Sequence, residues 1–181
     1  MKVLRKAEIE NPAEFKIGDQ IDCGFGLATC QKATEEGALF FTDDYDNETR
    51  KHTGLMQYLN SEEGLAGFRG DVRERLVPFN NIFIGQADGT NMKALVRMPF
   101  AGEMFEKDET DFLEEDDYEQ LPLMKEKRNR IAFCQNARGW GWLMNHSDEY
   151  AATFGAVSYV GYACYHVASL SGGVRRAFLI K

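Results

Sequence analysis

The sequence predicts an α+β domain. Apolar residues recur at helical spacing only between residues 47 and 78, while the chain on either side is β-prone, most densely in its last 50 residues. The size supports one core. With 181 residues, including 13 Phe, 7 Tyr and 2 Trp, the chain can bury its own interior, which reads as a single domain over 1–181.

The elements follow in order. Phe15 and Ile17 alternate ahead of a Gly18-Asp19 turn. Residues 27–30 and 38–42 flank Glu35-Glu36-Gly37 and predict a hairpin. Cys23-Gly24-Phe25-Gly26 has two glycines of a phosphate-binding loop but no helix start after them, so it reads as a plain turn. Leu55, Tyr58 and Leu59 form one stripe of a short helix, with Asn47 as its N-cap. Leu65, Phe68, Val72 and Leu76 outline a second helix ended by Pro78. Gly64, Gly67 and Gly70 weaken it, each by about 1 kcal/mol relative to Ala in a helix interior. His52, beside Lys51, falls on a surface helix face, and Ile82-Phe83-Ile84 reads as a buried strand.

Residues 103–119 hold ten acidic residues and one Lys, an acidic surface excursion. Lys125, Lys127, Arg128 and Arg130 follow and could hold it by ion pairs, each worth about 0–1 kcal/mol. Residues 131–134 and 140–143 predict strands, and residues 151–168 predict short strands broken at Gly155 and Gly161. After a Gly172-Gly173 turn, residues 174–180 form a terminal strand apolar on both faces, hence central and buried.

Composition excludes several functions. A net charge of −8 is repelled by phosphate backbones, so no nucleic-acid partner is expected. No run of 18 apolar residues occurs, so no membrane insertion is expected. The start has early basic residues but no apolar stretch after them, which reads as a product made in the cytoplasm without a secretory leader. Cys23, Cys30, Cys134 and Cys164 form no C-x-x-C, and the three His are scattered, so reduced thiols and neither metal nor other cofactor are expected.

Candidate chemistry is sparse. His146 and Asp148 could form an acid–base or metal pair, although two residues on a polar loop are more often simply solvated. Cys164 and His166 would share a strand face, yet a small buried thiol is the usual case. Asp111, Glu114, Glu115, Asp116 and Asp117 could hold calcium, but their spacing is not that of an EF-hand and a solvated loop fits better. No nucleotide-binding, serine-hydrolase or zinc-protease motif is present, so the expectation is not an enzyme. Residues 145–150 and 158–166 are rich in Tyr, Ser, Asn, His and Asp. Such residues build adaptable binding surfaces, Tyr giving contact area at low entropic cost. The competing reading is an ordinary Tyr-packed strand beside a polar loop.

A resemblance sharpens this. Trp140-Gly141-Trp142-Leu143, then Gly155-Ala156-Val157-Ser158-Tyr159, Gly161-Tyr162 and Gly173-Val174-Arg175-Arg176-Ala177-Phe178-Leu179-Ile180 resemble the end of a bacterial and phage family. That family carries "W-x-W-L-R-S/N", "G-x-V" and a terminal "G-V-R-P-A-F-L-I"; residues 118–130 are also similar to it. It includes the variable proteins of diversity-generating retroelements, which have a C-type lectin-like fold related to that of formylglycine-generating enzymes. The match is strongest over 112–181. Met144 stands where the family has Arg, and Arg176 where it has Pro, which implies a slightly different terminal strand edge.

The resemblance implies a protein that displays a hypervariable ligand-binding face, diversified by a retroelement, on a fixed frame. The variable segment would be about 144–171. Its variable positions would be Asn145, His146, Ser147, Asp148 and Tyr150, then Tyr159, Tyr162, Cys164, Tyr165, His166, Ser169 and Leu170. Trp140, Trp142, Leu143, Gly155, Val157, Gly173, Val174, Arg175 and Phe178 would be the frame. The partner would be a protein or cell-surface ligand, with display on a phage particle or cell surface. A fixed phage receptor-binding or structural domain would use the same face without diversification. A formylglycine-generating-type oxidase would need a reactive cysteine pair, for which Cys134 and Cys164 are the candidates. A calcium-dependent sugar lectin would carry Glu-Pro-Asn or Gln-Pro-Asp with Trp-Asn-Asp, and none of these occurs.

Overall fold

The computed structural model describes residues 15–114, 119–148 and 150–181. It is α+β, with small antiparallel sheets and a few short helices. In chain order the first elements are β1 (Gln20–Asp22), β2 (Leu27–Ala33), β3 (Ala38–Thr42), β4 (Arg50–Lys51), α1 (Leu55–Leu59), α2 (Glu62–Ala66) and α3 (Gly70–Arg73). Next come β5 (Leu76–Val77), β6 (Phe83–Gly85), β7 (Asn91–Lys93), β8 (Val96–Arg97), α4 (Ala101–Met104) and α5 (Lys127–Arg130). The C-terminal strands are β9 (Phe133–Cys134), β10 (Ala137–Arg138), β11 (Gly141–His146), β12 (Thr153–Val157), β13 (Ala163–Val167), β14 (Ser171–Gly172) and β15 (Ala177–Ile180).

The chain divides into two compact units. Of the described residues, one comprises those within 15–42, 56–97 and 177–181; the other comprises those within 43–55 and 98–176.

The first unit is built on a six-stranded sheet ordered β1-β2-β3-β15-β5, with β8 also pairing β15. The terminal strand is central, as its unbroken apolar run predicts: β15 pairs with β3, β5 and β8, and all four of its residues are buried. Phe178 stacks on Phe40 at 6.0 Å and meets Phe68 edge-on at 5.0 Å. The predicted β2–β3 hairpin forms, closed by reciprocal Thr34–Gly37 backbone bonds. The turn at Gly24 requires glycine twice over: φ is +102°, and a Cβ there would collide with the Gly67 carbonyl oxygen. Buried Asn60 spans α1 and β8. Its Nδ2 donates to the Met56 and Val96 carbonyls, and its Oδ1 accepts from the Leu95 and Val96 N–H groups.

Several local expectations change. The second predicted helix breaks into α2 and α3 at Gly67, where a Cβ would enter the Phe25 ring. Asn47 is not a helix N-cap: α1 begins at Leu55, after strand β4. Strand β6 is not fully buried, because it pairs only with β7 and leaves Phe83 59% exposed while Ile84 turns inward.

The second unit holds a three-stranded sheet, β11-β12-β13, and two short ribbons, β4–β14 and β9–β10. Residues 172–173 do not make the expected turn; Gly172 lies in β14, paired with Arg50. The acidic stretch is surface only in part, since Met104, Phe105, Thr110 and Leu113 are buried. Among the described residues, one of the expected ion pairs forms, Arg130 Nη1 to Glu109 Oε1 at 2.8 Å. Arg176, expected to alter the edge of the terminal strand, directly precedes β15. It is fully buried, with Nε and Nη2 donating to the two Asp46 carboxylate oxygens at 2.9 and 2.8 Å.

Candidate functional site

The register of β11-β12-β13 sorts the Tyr- and His-rich segment onto two faces. Trp142, Ala156 and Cys164 lie opposite one another, as do His146, Phe154 and His166. Directly opposed residues share a face, so these six form one wall. Gly155 and Tyr165 are opposed on the other face, where Leu113 packs against Gly155.

The first wall is an aromatic chain. His146 lies on Phe154 at 4.0 Å, Phe154 stacks on His52 at 3.5 Å, and His52 meets Trp142 edge-on at 5.2 Å. Trp142 meets Trp140 at 4.8 Å, and Trp140 covers His166 at 4.1 Å. All three histidines of the chain therefore share one wall. His52, expected on a helix surface, is instead half-buried between two rings, with Nε2 donating to the Leu143 carbonyl at 3.1 Å. No local pattern around Lys51-His52 announced this, because β4 is recruited by β14, 120 residues later in the register Lys51–Ser171.

Burial fixes the chemistry of these groups. Desolvation lowers the His52 pKa from 6.5 to about 4, against the opposing effect of its bond to Leu143. Desolvation also lowers His166. The Cys164 thiol is pushed up to about 11 by burial, so its contact with His166, 3.8 Å between Sγ and Nε2, does not yield a thiolate. The Cys134 thiol faces the Asp46 and Asn47 carbonyls, the Cys164 thiol the Ala156 carbonyl, and no disulfide joins the four cysteines.

A pH prediction follows from His52. The neutral ring is favoured in the folded state and the unfolded ring protonates near 6.5, so the unfolded chain takes up the proton first. Stability is unaffected above that pH and falls as pH drops from about 6.5 towards 4. Allowing for the partly solvated ring, His52 should account for a loss of about 2 kcal/mol. Urea denaturation at pH 7.5 and 4.5 should show a smaller acid loss in His52→Gln, which keeps a donor for Leu143. Equal losses in parent and variant would refute the assignment.

The candidate positions separate by burial. Asn145 is buried and its Oδ1 accepts from the Ala101 N–H at 2.7 Å; Ser147 is buried and bridged to Leu113. These two hold the frame rather than face a ligand. His146, Cys164 and His166 are half-buried in the wall. Asp148, Tyr150, Tyr159, Tyr162, Tyr165, Ser169 and Leu170 are exposed. The frame positions Trp142, Leu143, Gly155, Val157, Gly173, Val174, Arg175 and Phe178 are buried, and Trp140 is half-buried. Gly141 and Gly173 are tied to their sequence position by Tyr45, whose ring occupies the space a Cβ would need at either.

The exposed large apolar residues concentrate in this unit. Eight of the eleven exposed large apolar residues among those described belong to this unit: Phe133, Tyr150, Tyr159, Val160, Tyr162, Tyr165, Val167 and Leu170. Tyr165 stacks with Tyr150 at 6.2 Å and tilts on Phe112 at 5.6 Å. Lys127 Nζ sits 3.5 Å over the Tyr162 ring. Sequence reading missed Phe112, Phe133, Val160, Val167 and Lys127. The apolar pair Phe112-Leu113 inside an acidic run was the one available signal.

Glu115, Asp116 and Asp117 of the weighed calcium site lie outside the described residues, and Asp111 and Glu114 are exposed. Among the described residues no three His, Cys, Asp or Glu side chains are grouped to hold a metal ion. No helix among them is long and apolar enough to cross a membrane. Comparison of the chain with protein-family models, with curated proteins and with solved structures returned no match.

Proposed function

We propose that this chain is a ligand-binding protein whose binding face is the exposed aromatic surface around β12, β13 and the turns that flank them. One observation carries the reading: Tyr150, Tyr159, Tyr162 and Tyr165 are between 41% and 60% exposed in one compact unit, on a frame whose Trp142, Gly155 and Gly173 anchors are buried. An isolated exposed apolar residue needs no explanation, but a cluster of them marks an interaction surface.

The finer reading is a C-type lectin-like variable protein of a diversity-generating retroelement. The motif resemblance supports it, as does the pairing of the C-terminal strand with an early strand while a separate three-stranded sheet carries the variable segment. The rewritable set then narrows to the exposed and half-buried positions, because Asn145 and Ser147 are engaged in the frame. Sequencing this locus across a population tests it. Variation at Tyr159, Tyr162 and Tyr165, with Trp142 and Gly155 constant, is the expected result. An invariant segment would favour the fixed phage receptor-binding or structural domain.

The binding face makes a stability prediction. Changing Tyr159, Tyr162 and Tyr165 together to Ser should cost no more than about 1.5 kcal/mol, since surface substitutions stay within about 0.5 kcal/mol each. A larger loss in chemical denaturation would mean that these rings support the fold.

A further inference from the structure

We propose that the binding face takes a basic polypeptide segment, with an arginine or lysine side chain of the partner laid on the Phe112–Tyr165–Tyr150 rings; this rests on the binding-face reading above. Three observations converge. First, the rings lie in series and keep surface open to solvent, Phe112 being half-buried and Tyr165 and Tyr150 41% and 53% exposed. Second, the backbone that supports them carries carboxylates. Residues 112–114 run beside 146–148, joined by the Leu113–Ser147 bridge, by Asp148 N–H to the Phe112 carbonyl at 3.1 Å and by Glu114 N–H to the His146 carbonyl at 3.0 Å. Exposed Asp111, Glu114 and Asp148 are therefore carried on the same ribbon as Phe112. Third, no cationic side chain among the described residues is stacked on Tyr150 or Tyr165, whereas Lys127 already lies over Tyr162.

Exposed aromatic rings with carboxylates on the ribbon that supports them attract a cation twice, through the ring quadrupole and through charge. Arginine suits both, since its planar guanidinium stacks on a ring while its fork pairs with a carboxylate. A net charge of −8 adds steering towards a basic partner and repels an acidic one. An uncharged apolar ligand would leave the carboxylates without a role, so the cationic ligand is the better fit.

The probe is a fluorescein-labelled dodecapeptide alternating Arg and Ser, titrated with the full chain and followed by anisotropy. A pool of uncharged dodecapeptides is run beside it. Binding of the Arg peptide should weaken at least tenfold in Tyr150→Ser/Tyr165→Ser and stay within threefold in Tyr150→Phe/Tyr165→Phe, which keeps the rings. Asp111→Asn/Asp148→Asn should weaken it at least fivefold. Glu35→Gln/Glu36→Gln, with the same charge change on the exposed β2–β3 turn of the other unit, should leave it within twofold. The proposal is overturned if the Glu35/Glu36 variant weakens binding as much as the Asp variant, which means net charge alone. It is also overturned if the Ser variant binds as the parent does. Tyrosine-dependent binding of the uncharged pool alone would sink the cationic partner and leave the binding face standing, whereas no tyrosine-dependent binding of either probe sinks both.

Discussion

Replacing Arg176 by Met lowers the unfolding free energy by about 3–5 kcal/mol, because it leaves a carboxylate without its counter-charge in a desolvated site. Arg176 is fully buried and the Asp46 side chain is only 10% exposed, so water can do little to compensate. The two-point guanidinium–carboxylate geometry binds both Asp46 oxygens at once. The double variant Asp46→Leu/Arg176→Met should recover most of the loss, since a buried pair exchanged for apolar groups is often neutral. Urea denaturation followed by circular dichroism measures both. A single variant as stable as the parent would mean that the pair is not desolvated in solution.

Trp142→Ala should cost a comparable amount, about 3–5 kcal/mol. The indole is 1% exposed, is bracketed by Trp140 and His52, and donates Nε1–H to the Arg50 carbonyl at 2.8 Å. The residue thus joins β11 to β4 by both packing and a hydrogen bond. Trp142→Phe separates the two contributions. It keeps a ring in the wall but removes the indole N–H bond to the Arg50 carbonyl, and should cost about 1–3 kcal/mol. A loss below 1 kcal/mol in the Ala variant would place the indole outside the core.

The two variants bear on function differently. Trp142→Ala removes a ring of the aromatic wall, whereas Arg176→Met leaves those rings in place, and both keep Tyr150, Tyr159, Tyr162 and Tyr165. A ligand lost in Trp142→Ala but kept in Arg176→Met under folding conditions would show that the wall positions the binding face.

Much of the β architecture was legible because it is written in short-range pattern. The β2–β3 hairpin follows from two β-prone runs around a turn, and the centrality of β15 follows from an apolar run with no polar face. Exposed tyrosines were legible too, from composition and from the surrounding glycine and tryptophan anchors. Other features were not. Asn145 reads like its polar neighbours, yet its side chain caps the Ala101 N–H from 44 residues away. The helical stripe of residues 65–76 gave no hint that Phe25 would claim the space at Gly67 and split the helix.

By itself, the sequence determined the α+β class, the central terminal strand and the tyrosine-rich segment, since each depends on side-chain alternation and turn chemistry within a few residues. Only the tertiary structure decided which polar groups face solvent, that His52 joins the other two histidines in one aromatic wall, and that Arg176 is neutralised by Asp46. Those outcomes depend on strand register and on partners up to 130 residues apart. A buried charge or a ring sandwich is an arrangement of distant groups, and no local pattern encodes which of them will meet.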